Sequence, residues 1–353
     1  MNLNISLFDR ITIKDKIFLA RQLSVMLGAG IPIDQCFKII DLQTKKQLLK
    51  KVYNQILQDL EAGESLSFAI SKHRRAFDPV FIAIVRSGES TGQLDKVLGQ
   101  LADRMEITAD FETKIRGALI YPVFVIVVMI VIIYLMMIYV VPSLKQVFAD
   151  LGSELPFTTR AIIALSDFTV KYWWAELIAF GLIVIAAIFF FRNPGGGSSW
   201  DSAKIKIPGL KQIFTMVYMA RFSRTMSILI KAGIPIMETI AVTADVLQNN
   251  IYSTALKQSA GQIERGIPLS VPLEKNPYFP ILVSQMVLVG EQTGKMEVVL
   301  DKLAEYYEKE VDSLAKTVSS LVEPVLIVII GFGVGFLVYS IIYPIYSIAR
   351  TGF

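Results

Sequence analysis

The chain contains an internal duplication, in which two long stretches carry the same motifs in the same order at an offset of about 202 residues. The sequence Ala-Gly-Ile-Pro-Ile occupies residues 29–33 and occurs again at residues 232–236. A Gly-Glu-x-Thr-Gly motif occupies residues 88–92 and returns at residues 290–294. Because both the order and the spacing of these motifs are kept, the chain is predicted to fold as two copies of one domain.

Each copy is followed by a long apolar run. Apolar side chains make up 53% of the 353 residues, and residues 117–144 and 324–349 contain no charged side chain. A helix needs roughly 20 residues to cross the hydrocarbon core of a bilayer, so both runs are long enough to do so. The sequence therefore predicts transmembrane helices at 117–141 and 324–346.

The duplication also predicts the topology. Two copies of one polar fold should lie in the same solvent, which requires one more crossing between them. The only candidate is the apolar run 177–191, which is short for a span but long enough when extended to 173–192. The resulting assignment is a cytoplasmic helical domain at 1–116, a span at 117–141, an extracytoplasmic segment at 142–172, a span at 173–192, a flexible linker at 193–203, a second cytoplasmic helical domain at 204–323, a span at 324–346 and a short extracytoplasmic tail at 347–353.

Two features favour the cytoplasm for both domains. The first hundred or so residues contain no apolar core of the kind found in a signal peptide, so the N-terminus is expected to stay in the cytoplasm. Basic residues lie at the domain side of the spans, with Lys114 and Arg116 before the first span and Arg192 after the second. The chain is therefore predicted to be a multi-pass protein of the inner (cytoplasmic) membrane.

Both domains are predicted to be helical. Leu19 and Leu23 lie at helical spacing, and Gly30 is expected to end that helix in a left-handed conformation. Residues 87–92 are expected to form a tight corner between helices, and a long helix is expected to run from about Gln93 into the first span. With about six helices per domain, the predicted fold class is all-α: a polytopic membrane protein with two repeated cytoplasmic helical-bundle domains and three transmembrane helices.

The residue types that usually carry catalysis or bind metals are scarce. Cys36 is the only cysteine and His73 the only histidine, which excludes an internal disulfide and a Cys/His zinc cluster. Residues 290–295 are one residue too short for a phosphate-binding loop, and the carboxylates within 305–312 alternate with lysines as on a solvated helix face. Because these residue types are scarce, the sequence predicts no enzyme activity, no cofactor and no metal. The net charge of +4 is spread over both domains, so the sequence also predicts no nucleic-acid binding.

The two Gly-Glu-x-Thr-Gly motifs are the candidate functional sites. One interpretation is that Glu89 and Glu291 cap a following helix or stabilise the corner; the other is that they contact a partner protein or a bound cation. The candidate residues are Gly88, Glu89, Thr91 and Gly92 in the first repeat and Gly290, Glu291, Thr293 and Gly294 in the second.

A second candidate feature lies in the last predicted span. Gly331 and Gly335 are spaced so that another helix could approach closely. That helix could be the first span of the same molecule or a span of another subunit, and the sequence leaves both alternatives open.

Together, the duplicated Ala-Gly-Ile-Pro-Ile and Gly-Glu-x-Thr-Gly motifs, the Tyr121-Pro122 entrance to the first span and the two-domain, three-span plan resemble one family. It is the inner-membrane platform protein of type IV pilus and type II secretion machines, the PilC/GspF kind. The second repeat departs from the pattern, with Glu323 at the position of Tyr121. The resemblance covers the chain from about residue 16 to residue 344.

This resemblance implies a non-enzymatic scaffold that forms homo-oligomers. It would lie between a hexameric cytoplasmic ATPase and pilin or pseudopilin subunits, in contact with other inner-membrane components of the machine. A type IV pilus machine is the leading interpretation, and a type II secretion system is the alternative. A small-solute transporter is a third hypothesis, but repeats in transporters are bundles of spans, whereas most of each repeat here is polar.

Overall fold

A computed structural model describes residues 11–143, 157–192, 210–247 and 249–351. Every regular element in these ranges is a helix, so the all-α prediction is confirmed for the described part of the chain. The residues fall into two compact units, one within 1–114 and 201–312 and the other within 115–200 and 313–353. The first unit therefore contains both repeats.

Within the described residues, each repeat contributes six helices in matching order. The first repeat contains α1 (Ile13–Gly28), α2 (Ile33–Gln43), α3 (Gln47–Glu61), α4 (Leu66–Ser71), α5 (Pro79–Thr91) and α6 (Leu94–Leu135). Between the repeats, α7 spans Phe157–Arg192 and is kinked at Tyr172, where φ is −117° and ψ is 18°. The second repeat contains α8 (Leu210–Lys231), α9 (Ile236–Val246), α10 (Asn250–Ile263), α11 (Ser270–Lys275), α12 (Ile281–Thr293) and α13 (Met296–Thr351).

Glycines end the helices where the sequence predicts. Gly30 has a φ of 83° and its counterpart Gly233 a φ of 74°, a left-handed conformation that glycine adopts without a steric penalty. The amide of Ile31 donates to the carbonyl of Met26 at 3.0 Å, which satisfies one of the free carbonyls at the end of α1. The proline two residues after each glycine then precedes the first turn of the next helix.

One boundary prediction is wrong. Residues 87–92 do not form a tight corner between helices, because α5 continues through Thr91 and only Gly92 leaves the helix. The side chain of Thr91 donates to the carbonyl of Ser87 at 2.9 Å, which keeps the last turn helical. The corner is therefore confined to Gly92 and the residue after it.

The two repeats share their hydrophobic cores. The core of the first repeat is built around residues such as Leu23 and Phe37, and it also includes Leu229 and Ile234 from the second repeat. In the other direction, Phe111 of α6 packs against the core of the second repeat. Each repeat therefore completes the other's core, and neither buries all of its apolar side chains alone.

In the second unit, α6 continues into a π-helical segment, Met136–Val140. Among the described residues, Val123–Ser143 is the one helix long and apolar enough to cross a membrane, and α13 contains a shorter apolar stretch, Pro324–Gly333. The helix Val123–Ser143 overlaps the first predicted span. The three-span topology as a whole stays a prediction.

Several predicted segments are only partly visible. The predicted second span lies at the end of α7 and the predicted third span within α13. The linker 193–203 and residues 144–156 of the extracytoplasmic segment lie outside the described residues, as do the last two residues of the tail.

Candidate functional site

The carboxylate of Glu89 reaches back from α5 to the start of the short helix α4. Its Oε1 accepts a hydrogen bond from the amide of Leu66, and its Oε2 accepts one from the amide of Ser67 at 2.9 Å. These amides belong to the first turn of α4, where backbone N–H groups have no partner within the helix. The negative charge also complements the positive end of the α4 dipole. Glu89 thus stabilises a helix of only six residues.

Glu291 repeats this arrangement in the second repeat. Its carboxylate accepts hydrogen bonds from the amide of Leu269 at 2.5 Å and from the amide of Ser270 at 3.3 Å. The hydroxyl of Ser270 adds a third bond at 2.5 Å. The sequence interpretation named a following helix, but in both repeats the capped helix precedes the glutamate, since the chain folds back between them. A pattern of neighbouring residues could not show this, because the contact spans 22 or 23 positions.

The first glycine of each motif allows two helices to come into contact. A Cβ at Gly88 would lie 2.3 Å from Cγ2 of Val97 and 3.1 Å from Cα of Leu94, both in α6. At Gly290 it would lie 2.9 Å from Sδ and 3.1 Å from Cα of Met296. Separations below about 3 Å require movement of a neighbour, so any larger residue would force α5 away from α6, or α12 away from α13.

The threonine and the last glycine of each motif end the helix. Thr293 donates to the carbonyl of Val289 at 2.7 Å, as Thr91 does to Ser87 in the first repeat. Gly92 and Gly294 both have a φ of 67°. Each of the eight candidate residues thus has a local structural contact or conformation. No group of three or more His, Cys, Asp or Glu that could hold a metal ion occurs in the described ranges.

The two glycines of the last predicted span lie apart from this site. Gly331 and Gly335 are both in α13, and in the described part of the chain no atom of another element lies within 4 Å of a Cβ placed at either position. Among the described residues, therefore, no other helix packs against these two glycines. Their role in helix packing stays a prediction.

The interface between the repeats contains an ion network that the sequence interpretation missed. The guanidinium of Arg224 in α8 donates to both carboxylate oxygens of Glu308, at 2.8 and 2.7 Å, and to Asp301 at 2.5 Å. Arg104 of the first repeat donates to the same oxygen of Asp301 at 2.7 Å. Asp301 therefore joins one arginine from each repeat. The prediction that the 305–312 carboxylates form a solvated face is wrong for Glu308, which binds this buried arginine.

Burial distinguishes this network from ordinary surface ion pairs. The side chain of Arg224 is only 7% exposed, whereas its counterpart Arg21, which pairs with Glu106 at 2.9 Å, is 38% exposed. Burial acts to lower the pKa of Arg224, but the hydrogen bonds and negative charge of Glu308, together with the charge of Asp301, outweigh it and raise the pKa. The arginine is charged in both repeats, but in the second repeat it is also enclosed.

Two further contacts between the repeats lie near the network. The hydroxyl of Ser87 donates to the carbonyl of Ala232 at 2.6 Å, and Arg86 pairs with Glu238 at 3.3 Å. A cavity of 380 Å³ lies beside these contacts, lined by both repeats and by charged groups that include Arg104, Arg224 and Glu308. Its charged groups are engaged with one another, so it does not present a free charge to a ligand.

These features define a duplicated helical protein whose repeats are locked together by buried charge and which carries an apolar helix long enough to span a membrane. A sequence profile of the family described as type II secretion system protein F matches residues 19–142 and 222–344, one match in each repeat. The chain belongs to this PilC/GspF-like family.

Relatives from both kinds of machine match nearly the whole chain. The type IV pilus assembly protein PilC of Thermus thermophilus is 34% identical over 340 residues, covering 96% of this chain and 84% of the relative. PilC of Myxococcus xanthus is 33% identical and covers 95% and 81%. The type II secretion system protein F of Aeromonas hydrophila is 28% identical and covers 93% and 84%.

The close approach at Gly88 gives a first prediction. Gly88→Ala should lower the free energy of unfolding by roughly 1–3 kcal/mol, because the added methyl group overlaps Val97. Gly261→Ala is the matched control, since Gly261 lies in α10 with no atom within 4 Å of a Cβ. There the same substitution should raise stability by about 0.5–1 kcal/mol. Thermal unfolding of the purified protein in detergent tests both, and equal shifts for the two variants would contradict the proposed packing role.

The buried network gives a second prediction. Arg224→Met should cost about 3–5 kcal/mol, since it leaves Glu308 without its arginine partner inside the protein. Arg21→Met removes the equivalent residue from an exposed site and should cost about 0–1 kcal/mol. The measurement is again the unfolding midpoint of each purified variant. Similar losses for the two variants would show that burial does not set the strength of the network.

Proposed function

We propose that the chain is a non-enzymatic platform of a type IV pilus machine, which couples a hexameric cytoplasmic ATPase to the polymerisation of pilin subunits in the inner membrane. The observation that carries this proposal is the match to proteins named PilC along nearly the whole chain, with both repeats included. In this proposal Glu89 and Glu291 serve as corner residues that fix the shape of each bundle. Other inner-membrane proteins of the machine and further copies of the chain complete the assembly.

The contacts between the two repeats suit a protein that transmits force. Because Asp301 bridges the repeats and their cores interlock, a load applied to one bundle is carried by both. The helices α6 and α13 each begin in a repeat and continue into an apolar run. A displacement of the bundles by an ATPase would therefore be passed along continuous helices towards the bilayer, where pilins are held.

The equivalent platform of a type II secretion system is the alternative. It is supported by relatives named protein F of that system, which match the chain over a similar length. We favour the pilus machine because the PilC relatives from Thermus thermophilus and Myxococcus xanthus have 34% and 33% identity, against 28% for these. A small-solute transporter is disfavoured, since the apolar helix Val123–Ser143 contains no charged residue of the kind that usually marks a substrate path.

The proposed topology has three crossings with the N-terminus in the cytoplasm. In a Cys36→Ala background, single cysteines at Lys51, Arg160 and Lys211 report on the first repeat, the segment between the spans and the second repeat. A membrane-impermeant maleimide should label Arg160→Cys in intact spheroplasts, but should label Lys51→Cys and Lys211→Cys only after permeabilisation. Labelling of Lys51→Cys and Lys211→Cys on opposite sides would overturn the topology.

The proposed function predicts a specific loss in the organism. Deletion of the gene should abolish surface filaments and leave solute uptake unchanged, and the affinity-tagged protein should co-purify a cytoplasmic ATPase. Complementation with the wild-type chain should restore filaments. A deletion strain that keeps its filaments but no longer secretes folded proteins would instead identify the type II secretion platform, and a loss of solute uptake would identify a transporter.

A further inference from the structure

The duplication gives the molecule two copies of each bundle surface, but the contact between the repeats uses only one copy of each. We call the α5–α6 surface of a repeat its leading face; in the first repeat it carries Arg86, Ser87 and Arg104. We call the surface formed by its first two helices the trailing face; in the second repeat it carries Ile228 and Glu238. Within the molecule, the leading face of the first repeat packs on the trailing face of the second. Among the described residues, the trailing face of the first repeat stays exposed at Phe18 and Val25. On the leading face of the second repeat, Asp301 reaches Arg104, whereas Leu288 and Tyr306 stay exposed.

The unused trailing face is apolar and exposed. Val25 of α1 is 63% exposed and Phe18 is 42% exposed, and Ile39 of α2 is also exposed. The offset of about 203 residues places Val25 opposite Ile228 and Ile39 opposite Val242 in the duplicated sequence. Ile228 and Val242 are the residues that pack against the core of the other repeat. The first repeat therefore exposes the same apolar positions that the second repeat covers.

The unused leading face is apolar where its counterpart is polar. Leu288 and Val289 stand at the positions of Arg86 and Ser87, at an offset of about 202 residues, and both are exposed. Tyr306, which is 46% exposed, stands at the position of Arg104. Arg86, Ser87 and Arg104, which make polar contacts across the internal interface, are thus all replaced by apolar or aromatic side chains.

The acidic partner of Arg86 has changed together with it. Glu238 pairs with Arg86 inside the molecule, and its counterpart on the unused trailing face is the neutral Gln35, opposite Leu288. Losing an acid on one face and its arginine on the other is the change that is required if the two faces meet. A face exposed to water is expected to keep its charged side chains. The loss of both charges, together with the gain of apolar area, therefore indicates that these faces are covered.

We propose that a second copy of this chain occupies these faces, with the leading face of the second repeat of one copy docked on the trailing face of the first repeat of the next. The contact has the geometry of the internal interface, which serves as its template. It is a head-to-tail contact, so each copy keeps one free face of each kind for another copy. The proposal concerns the surface itself and does not depend on which machine the chain serves.

Cysteine cross-linking in native membranes tests the contact. In the full-length Cys36→Ala chain, Gln35→Cys and Leu288→Cys reproduce the positions of Glu238 and Arg86, whose charged groups lie 3.3 Å apart. Co-expressed single variants with different tags should form a disulfide-linked heterodimer on mild oxidation, and the double variant should form a ladder of higher multiples. Gln58→Cys with Lys257→Cys, on exposed positions of α3 and α10, is the control pair and should give neither.

A second test introduces an unpaired charge at the proposed contact and then restores its partner. Leu288→Arg should reduce co-purification of two differently tagged copies by about tenfold, since it places an unpaired charge in an apolar contact. Adding Gln35→Glu restores the Arg–Glu pair of the internal interface and should recover the association. Because both substitutions are on exposed positions, unchanged thermal unfolding of each variant confirms that folding is intact.

Three outcomes would overturn the proposal. One is self-cross-linking of Leu288→Cys without Gln35→Cys, which would indicate a symmetric contact between leading faces. Another is cross-linking of Leu288→Cys to a different protein, which would mean that another partner covers the face. The third is an association between copies that Leu288→Arg leaves unchanged. Filament formation is not a readout here, so these outcomes are distinct from a failure of the proposed function.

Discussion

The structure depends on a carboxylate shared by two arginines. Asp301 accepts hydrogen bonds from Arg104 of the first repeat and Arg224 of the second, and Glu308 binds the remaining nitrogens of Arg224. Two positive and two negative charges are thus brought together with little access to water, and the group is neutral only while all four are present. Removing one member would leave an uncompensated charge inside the protein. Together with the interlocked cores, this network favours one orientation of the two bundles, from which α6 and α13 start.

The same pair has a different environment in each repeat. Arg21 and Glu106 form in the first repeat the ion pair that Arg224 and Glu308 form in the second. The inherited fold supplies the pair in both places, but only the second copy is covered, because the first repeat lies over it. After the duplication the corner glycines and the capping glutamates stayed alike, while buried positions diverged, as in Phe37 and Ile240. The faces diverged as well, since Leu288 stands at the position of Arg86.

The sequence was most informative where a residue's own backbone preference decides the structure. Gly30 and Gly92 could be predicted as helix ends because the left-handed conformation strongly favours glycine. The extent of α5 could not, since Gly88 lies inside a helix for reasons of packing against α6. The capping by Glu89 and the partners of Arg224 were inaccessible for another reason. They join residues far apart in the chain, and neither charge pattern nor periodicity specifies which distant group a side chain will meet.

The interlocked cores have a consequence for how the protein is made. The contact of Glu89 with α4 can form as soon as the first bundle has left the ribosome, before the first apolar run is complete. The core of that bundle, however, is completed by Leu229 and Ile234, which are synthesised only after the chain has passed through α7. During synthesis the helices of the first repeat can therefore form, but part of its apolar interior stays uncovered until the second repeat has been made. Synthesis of the intervening segment thus comes before the core of the first repeat is complete. A nascent chain stalled between the repeats would present unfinished apolar surface to chaperones and proteases.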